Sequence, residues 1–476
     1  MSARQPSRRA VLAGGLAGLA VLGAPRRGGA ATPSLDAALA EAQLSGVTTV
    51  ALADLDSGTT LEAWEADTGL PPASVAKVVT ALYALDALGP DYRFRTTIRA
   101  EGPIRDGVLR GDLALVGGGD AVLDTDALGG LVAALRTAGL RAVDGRFRVA
   151  VGALPAVSAI DADQPVQAGY NATVSGANLN FNRVFLAWTP GTKGPSLAFS
   201  APGTGWSATP AGFAAEMTGA EPIAHRIEGG REVWALPRSG LRGRGSIWLP
   251  VREPGHYAGE VFGALAAGAG LDLPAAEVVR EASGAVIAER GSPELEDMLR
   301  DMLRYSTNLT AECVGLRASQ ARGLAPGGLA DSAAAMTAWA QDRYGLAASR
   351  LVNHSGLSGA SRFTARDMLA VLAGAADGPL PGLLPERPIL DEARQPVADA
   401  SVRVVSKTGT LNFVSGLAGY MLGRRRLAFA VFAADAELRA RLRPEERDDP
   451  PGAADWTRRA RAQEQALLRR WSGLYA

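Results

Sequence analysis

Lysine is nearly missing from this chain of 476 residues, which holds 46 arginines against three lysines, Lys77, Lys193 and Lys407. Arginine stays protonated in proteins, whereas a buried lysine can lose its proton, so a lysine general base is a role arginine cannot fill. In an arginine-biased chain the few lysines mark positions that need one. Lys193 lies in the turn-like stretch Pro190-Gly-Thr-Lys-Gly-Pro-Ser196 and reads as a solvated loop residue. Cysteine is scarcer still. Cys313 alone cannot form an internal disulfide, and its place in the apolar-periodic stretch Leu309 to Leu316 predicts a buried thiol. The histidines, His225, His256 and His354, lie far apart without metal-ligand spacing, and no metal or other cofactor is expected. Gly117-Gly-Gly-Asp120 lacks the Lys and Ser/Thr that a phosphate loop requires and reads as a tight turn. Basic and acidic residues balance at 49 each, which leaves no electrostatic footprint for nucleic acid.

With 47% apolar and 21% charged residues, the composition is that of a globular protein long enough for two to four domains. Residues 1–31 carry five arginines and no acid, so their removal would leave a weakly acidic remainder. Ser7-Arg8-Arg9-Ala10 opens an apolar run through Ala24, followed by small residues around Gly29-Ala30-Ala31. That order predicts an export signal of the twin-arginine type and a periplasmic or extracytoplasmic location. The run is too short to span a bilayer comfortably, and no other stretch reaches the ~18 apolar residues a spanning helix needs. A retained N-terminal anchor is the competing reading, because Arg26 and Arg27 interrupt the cleavage region.

Along the remainder, Thr48 to Trp64 alternates as a hairpin around Asp56-Ser57-Gly58. A helix is predicted from Ser74, after Pro71 and Pro72, until Gly89-Pro90. Residues 96–285 are rich in glycine and proline with short alternating runs, and read as small mixed or mainly β insertions. Helical periodicity resumes near Ser292, where Leu295, Met298, Leu299 and Met302 recur, and continues to about 375. Strands are predicted over Ser401 to Thr410, Leu417 to Leu422 and Leu427 to Ala433, then a helix over Asp455 to Trp471. The arginines of that last helix, with Trp456 and Trp471, suit either an anionic membrane surface or packing on the sheet, so membrane contact is at most peripheral.

Chemistry concentrates at three points. Ser74 and Lys77, three residues apart on a helix, share a face, so the amine can reach the hydroxyl and take its proton. Ser306-Thr307-Asn308 supplies a hydroxyl for proton relay and an amide able to hold the lysine and bond a substrate amide. Taken alone it also reads as a helix cap or turn. Lys407-Thr408-Gly409-Thr410 follows Val402, Val404 and Val405 on a predicted strand, and Gly409 would let a substrate lie close to the strand edge. A cation there lowers the proton affinity of Lys77 and, with the threonine hydroxyls, can receive a carboxylate. The backbone N–H groups of Thr410 and Ser74 could form an oxyanion hole. Class A β-lactamases and penicillin-binding proteins use these three motifs in this order.

The chain resembles the low-molecular-mass class C penicillin-binding proteins, the D-alanyl-D-alanine carboxypeptidase and endopeptidase family related to the bacterial type 4 penicillin-binding protein. Leu70-Pro-Pro-Ala-Ser-Val-Ala-Lys77, Gly111-Asp-Leu-Ala-Leu-Val-Gly-Gly-Gly-Asp120, Ser355-Gly-Leu-Ser358 and Lys407-Thr-Gly-Thr-Leu-Asn-Phe-Val-Ser-Gly-Leu-Ala-Gly-Tyr420 carry the resemblance. The 232 residues from Ser74 to Ser306 exceed what a class A β-lactamase has room for and imply inserted domains. The fold so implied is α/β (α+β), a transpeptidase- or β-lactamase-like antiparallel sheet between helix layers, with nested mainly-β inserted domains. Residues 32–95 and 286–476 would form the catalytic domain and 96–285 the insertion. The resemblance implies a penicillin-sensitive serine peptidase acting on peptidoglycan stem peptides through a Ser74 acyl-enzyme, with β-lactam antibiotics as covalent inhibitors. Catalysis would fall to Ser74, Lys77, Ser306 and Asn308, and substrate binding to Lys407, Thr408, Gly409 and Thr410. A β-lactamase or esterase with the same site and a non-catalytic cell-wall-binding protein are the alternatives. Phe413 stands where relatives carry a smaller residue and is expected to narrow the groove.

Overall fold

A computed structural model describes residues 34–475 apart from 193, 220–221, 398–401 and 444–445. The export signal and Lys193 lie outside the described residues. The chain's two ends build one antiparallel sheet, in the order Glu386–Arg387, Arg403–Leu411, Val414–Leu422, Arg426–Ala434, Val47–Asp54, Thr60–Trp64. Val47–Asp54 pairs with Arg426–Ala434 over its whole length, so the N-terminal hairpin and the C-terminal strands share one sheet.

Side chains on neighbouring strand positions point to opposite faces, and here both faces are covered. Val50, Leu52, Phe429 and Val431 face the terminal helices Leu35–Glu41 and Ala453–Tyr475 through Leu39, Leu467, Leu468 and Trp471. Ala51, Ala53, Ala430 and Phe432 face a second layer that includes helices Lys77–Leu88, Leu295–Tyr305, Leu329–Tyr344 and Ala365–Gly374. Burial on both sides explains why the strands read as apolar runs rather than clean alternations. The antiparallel sheet between helix layers is the architecture expected. Trp456 and Trp471 are both buried, so the final helix packs on the sheet instead of offering its tryptophans to a membrane. Among the described residues no helix is long and apolar enough to cross one.

Between the ends, Arg95–Ala100 leaves and Ala285–Gly291 returns as paired antiparallel strands of a second sheet, with Leu113–Val116, Phe147–Ala150 and Ala276–Val279. Helices Thr125–Thr137 and Pro254–Gly268 pack on it. Their glycines weaken helix propensity, which is why the sequence shows only short strands there. Within this unit lie a four-stranded and a three-stranded sheet formed between Arg183 and Pro250.

Candidate active site

Ser74 sits on a tight turn. Ala73 takes a left-handed φ of 46°, and Ala73–Ala76 forms a 3₁₀ turn that runs into helix Lys77–Leu88. In a 3₁₀ turn positions three apart eclipse, so Lys77 Nζ lies 2.9 Å from Ser74 Oγ. The Lys77 side chain is fully buried, and its nitrogen also contacts Asn308 Oδ1 at 2.7 Å and the Ser355 carbonyl at 2.8 Å. These acceptors fill the donor capacity of an ammonium. In the neutral amine, the Ser74 hydroxyl would rotate to donate instead.

Ser306 ends helix Leu295–Tyr305 in a left-handed conformation, φ 60°, and Asn308 begins helix Asn308–Ala321. The motif therefore does sit at a helix junction, with Ser306 as the cap of the first helix. Asn308 accepts from Lys77 with its oxygen, and its Nδ2 donates to the Tyr170 carbonyl of the inserted region at 3.0 Å. Ala73 and Ser306, left-handed residues that flank Lys77, are strained positions that the surrounding packing must hold.

The third motif lies on strand Arg403–Leu411, packed against the 3₁₀ turn. A Cβ at Gly409 would fall 2.7 Å from the Pro72 carbonyl oxygen and 3.0 Å from Ser74 N, so the strand approaches Ser74 this closely only with glycine there. Lys407, 1% exposed, donates to Ser306 Oγ at 3.1 Å and to the Thr408 carbonyl at 2.7 Å. Thr408 Oγ1 accepts from Arg387 Nη2 at 3.3 Å.

Burial is the main force on both lysines. It lowers the Lys77 pKa well below its ordinary value, with a further push from the positive charge of Lys407 and an opposing pull from Glu312. Burial and the neighbouring Arg387 bring Lys407 down from 10.5 to about 7. The cation at Lys407 thus acts on Lys77 in the sense expected. Glu312 was not assigned a role from sequence, although it lies one helical turn after Asn308 and so on the same face. It is fully buried, burial raises its pKa, and its oxygens accept from His354 N and Ser355 N at 2.9 and 2.8 Å. It thereby fixes the loop whose Ser355 carbonyl holds Lys77. Arg387 and Tyr170 were also missed, having no motif to mark them.

Ser74, Ser306, Asn308 and Thr410 line a cleft of about 1140 Å³, with Lys77 and Lys407 buried behind them. One rim joins the inserted region to the C-terminal segment, Arg447 donating to the Asp163 carboxylate at 3.0 Å and Gln167 to Asp448 at 2.9 Å. A second cleft, about 670 Å³, lies beside Thr408, Gly409 and Thr410. Phe413 lines neither. Held at φ 56° in the hairpin turn, it is buried against Trp456 with ring centroids 6.2 Å apart, so it faces the final helix and does not narrow the groove. Among the described residues, no cluster of three or more His, Cys, Asp or Glu side chains could hold a metal ion.

The fold is similar to that of penicillin binding protein 4 (dacB) from Haemophilus influenzae, with a TM-score of 0.71 at 19% identity over 90% of this chain and 99% of that one. Among characterised sequences, the D-alanyl-D-alanine carboxypeptidase of Actinomadura sp. (strain R39) is 27% identical over 442 residues, covering 83% of this chain and 79% of that protein. Carboxypeptidase DacB of Mycolicibacterium smegmatis is 29% identical over 436 residues, covering 87% and 81%. The profile of the D-Ala-D-Ala carboxypeptidase 3 (S13) family matches residues 31–449, and with nearly the whole chain inside that match, this protein belongs to that family of peptidases.

Proposed function

We propose that this S13-family peptidase hydrolyses the D-Ala-D-Ala end of peptidoglycan stem peptides through an acyl-enzyme on Ser74. In this reading the neutral Lys77 amine takes the Ser74 proton while Oγ attacks the carbonyl of the penultimate D-alanine. The N–H groups of Ser74 and Thr410 receive the oxyanion. Collapse breaks the peptide bond, and the departing amine takes a proton through Ser306. Water then cleaves the ester and regenerates the serine. Asn308 orients Lys77 and the substrate amide, and Lys407, Thr408, Gly409 and Thr410 bind the terminal carboxylate.

The observation that carries this reading is the 2.9 Å contact between Ser74 and a fully buried lysine whose pKa is well below normal. A serine hydroxyl paired with a buried lysine whose hold on its proton is weakened has no use in a wall-binding module. A β-lactam with its strained amide should enter the same site and acylate Ser74. A related structure of penicillin binding protein 4 from Haemophilus influenzae, TM-score 0.65 and 19% identical over 86% of this chain and 98% of that one, is described as complexed with a β-lactam. Stem peptides lie outside the cytoplasmic membrane, and we assign residues 1–31 as a twin-arginine export signal, which sequencing the mature N-terminus would check.

The deciding experiment is intact-protein mass during incubation with penicillin. A persistent adduct in the wild type and none in Ser74→Ala is expected. An adduct that disappears as antibiotic is consumed would instead indicate a β-lactamase. No adduct on the wild type, or an equal one on Ser74→Ala, would remove the assignment.

A further inference from the structure

Lys407 and the two threonines of its motif do not face the same way. Alternation along strand Arg403–Leu411 puts Thr408 and Thr410 on one face and Lys407 on the other. The Lys407 ammonium is engaged by Ser306 Oγ and the Thr408 carbonyl. The hydroxyl face opens on the second cleft, about 670 Å³, which shares Thr410, Arg394 and Arg461 with the main one. The half-buried cation in contact with the Thr408 hydroxyl is Arg387, on the two-residue edge strand Glu386–Arg387.

Arg387 has no ion-pair partner among the described residues to explain its burial. Its Nε donates to the Ser406 carbonyl at 3.2 Å and its Nη2 to Thr408 Oγ1 at 3.3 Å. Its electrostatic neighbours are Glu464, which attracts it, and Arg461, which repels it. The Glu464 carboxyl is raised by burial to about 7 and accepts from Ser415 Oγ at 2.6 Å, so it is a poor counter-ion. Desolvating a guanidinium without a carboxylate is unfavourable, and a planar guanidinium beside the Thr408 hydroxyl, with Thr410 lining the same cleft, can receive an incoming carboxylate.

We infer that Arg387 is a specificity residue for the leaving group: with Thr408 and Thr410 it binds the carboxylate of the departing residue from the face opposite Lys407, making the second cleft the leaving-group subsite. The inference rests on the Ser74 peptidase reading. The cleft is several times larger than an alanine side chain needs, so the subsite accepts a leaving group longer than one residue, provided it presents a carboxylate near Thr408.

The test compares a peptide ending in D-Ala-D-Ala as free acid with the same peptide as its C-terminal amide, for wild type, Arg387→Gln and Arg387→Lys. Loss of a charge-assisted contact is expected to lower kcat/KM on the acid by about tenfold or more in Arg387→Gln, mainly through KM. The amide should change by less than about threefold, so that the wild-type preference for the acid collapses, and Arg387→Lys should recover part of it. Equal losses on both peptides, no loss on the acid, or a wild type indifferent to the carboxylate would each overturn the assignment. Penicillin adduct formation on Arg387→Gln, read by mass at saturating antibiotic, reports separately on Ser74: an adduct there leaves the peptidase reading standing whatever the acid-to-amide ratio shows.

Discussion

The Asn308 side chain donates to the backbone carbonyl of Tyr170 at 3.0 Å, tying a residue that holds the buried lysine to the inserted region 138 positions earlier in the chain. The other end of the same amide accepts from Lys77 at 2.7 Å. The inserted region therefore fixes which way the amide points, since Nδ2 is committed to a carbonyl and only Oδ1 is left for the lysine. Tyr170 itself is half exposed and lines the cleft.

Asn308→Asp exchanges a neutral acceptor for a carboxylate beside Lys77. An adjacent opposite charge favours the ammonium, so less neutral base is present at any given pH. Acylation by penicillin should slow by about 100-fold at neutral pH, and the acid limb of its pH profile should move to higher pH. An unchanged profile would mean that Lys77 does not act as the base.

Lys407 gives a stability signature with a definite sign. Its pKa is about 7 in the fold against 10.5 ordinarily, so between those values the unfolded chain binds more protons and stability rises with pH. The cost of burying this ammonium is fully present below about pH 7 and fades as pH rises towards 10.5. Lys77, lowered in the same direction, adds to the effect. Thermal unfolding of Lys407→Met should therefore depend less on pH over this window than that of the wild type, with a higher Tm near pH 7. An identical pH dependence in the two proteins would contradict the burial argument.

Gly409→Ala tests close approach without altering any polar group. The added methyl would meet the Pro72 carbonyl oxygen at 2.7 Å and the Ala73 Cβ at 2.9 Å, both on the turn that carries Ser74. Strand and turn must separate, and a displacement approaching 1 Å at a nucleophile costs about 100-fold in rate. Penicillin acylation should fall by that order while circular dichroism stays native. Wild-type acylation kinetics would show that the turn has room to spare.

Phe413→Leu should reduce stability by about 1–2 kcal/mol, because Phe413 is buried against Trp456. It should leave relative kcat/KM across stem peptides of different lengths unchanged. A shift in that preference would return Phe413 to the groove.

The sequence by itself determined the parts that depend on neighbours along the chain. Ser74 and Lys77 meet because three residues of helical backbone put them together, and the scarcity of lysine marked the pair. Strand and helix periods located the terminal hairpin, the three late strands and the final helix within a few residues. What only the tertiary structure decided is the surroundings of those groups. Asn308 reaches Lys77 across 231 positions, Lys407 reaches Ser306 across 101, and the Ser355 carbonyl, Glu312, Tyr170 and Arg387 arrive from elements that no local pattern links to them. The direction in which Phe413 points was set likewise by the final helix packing on the sheet. A lysine in an extended chain is an ordinary ammonium; closing the sheet and stacking helices on it strips its water and sets a second cation nearby, and that desolvation, which no spacing of residues encodes, is what lowers the proton affinity of Lys77.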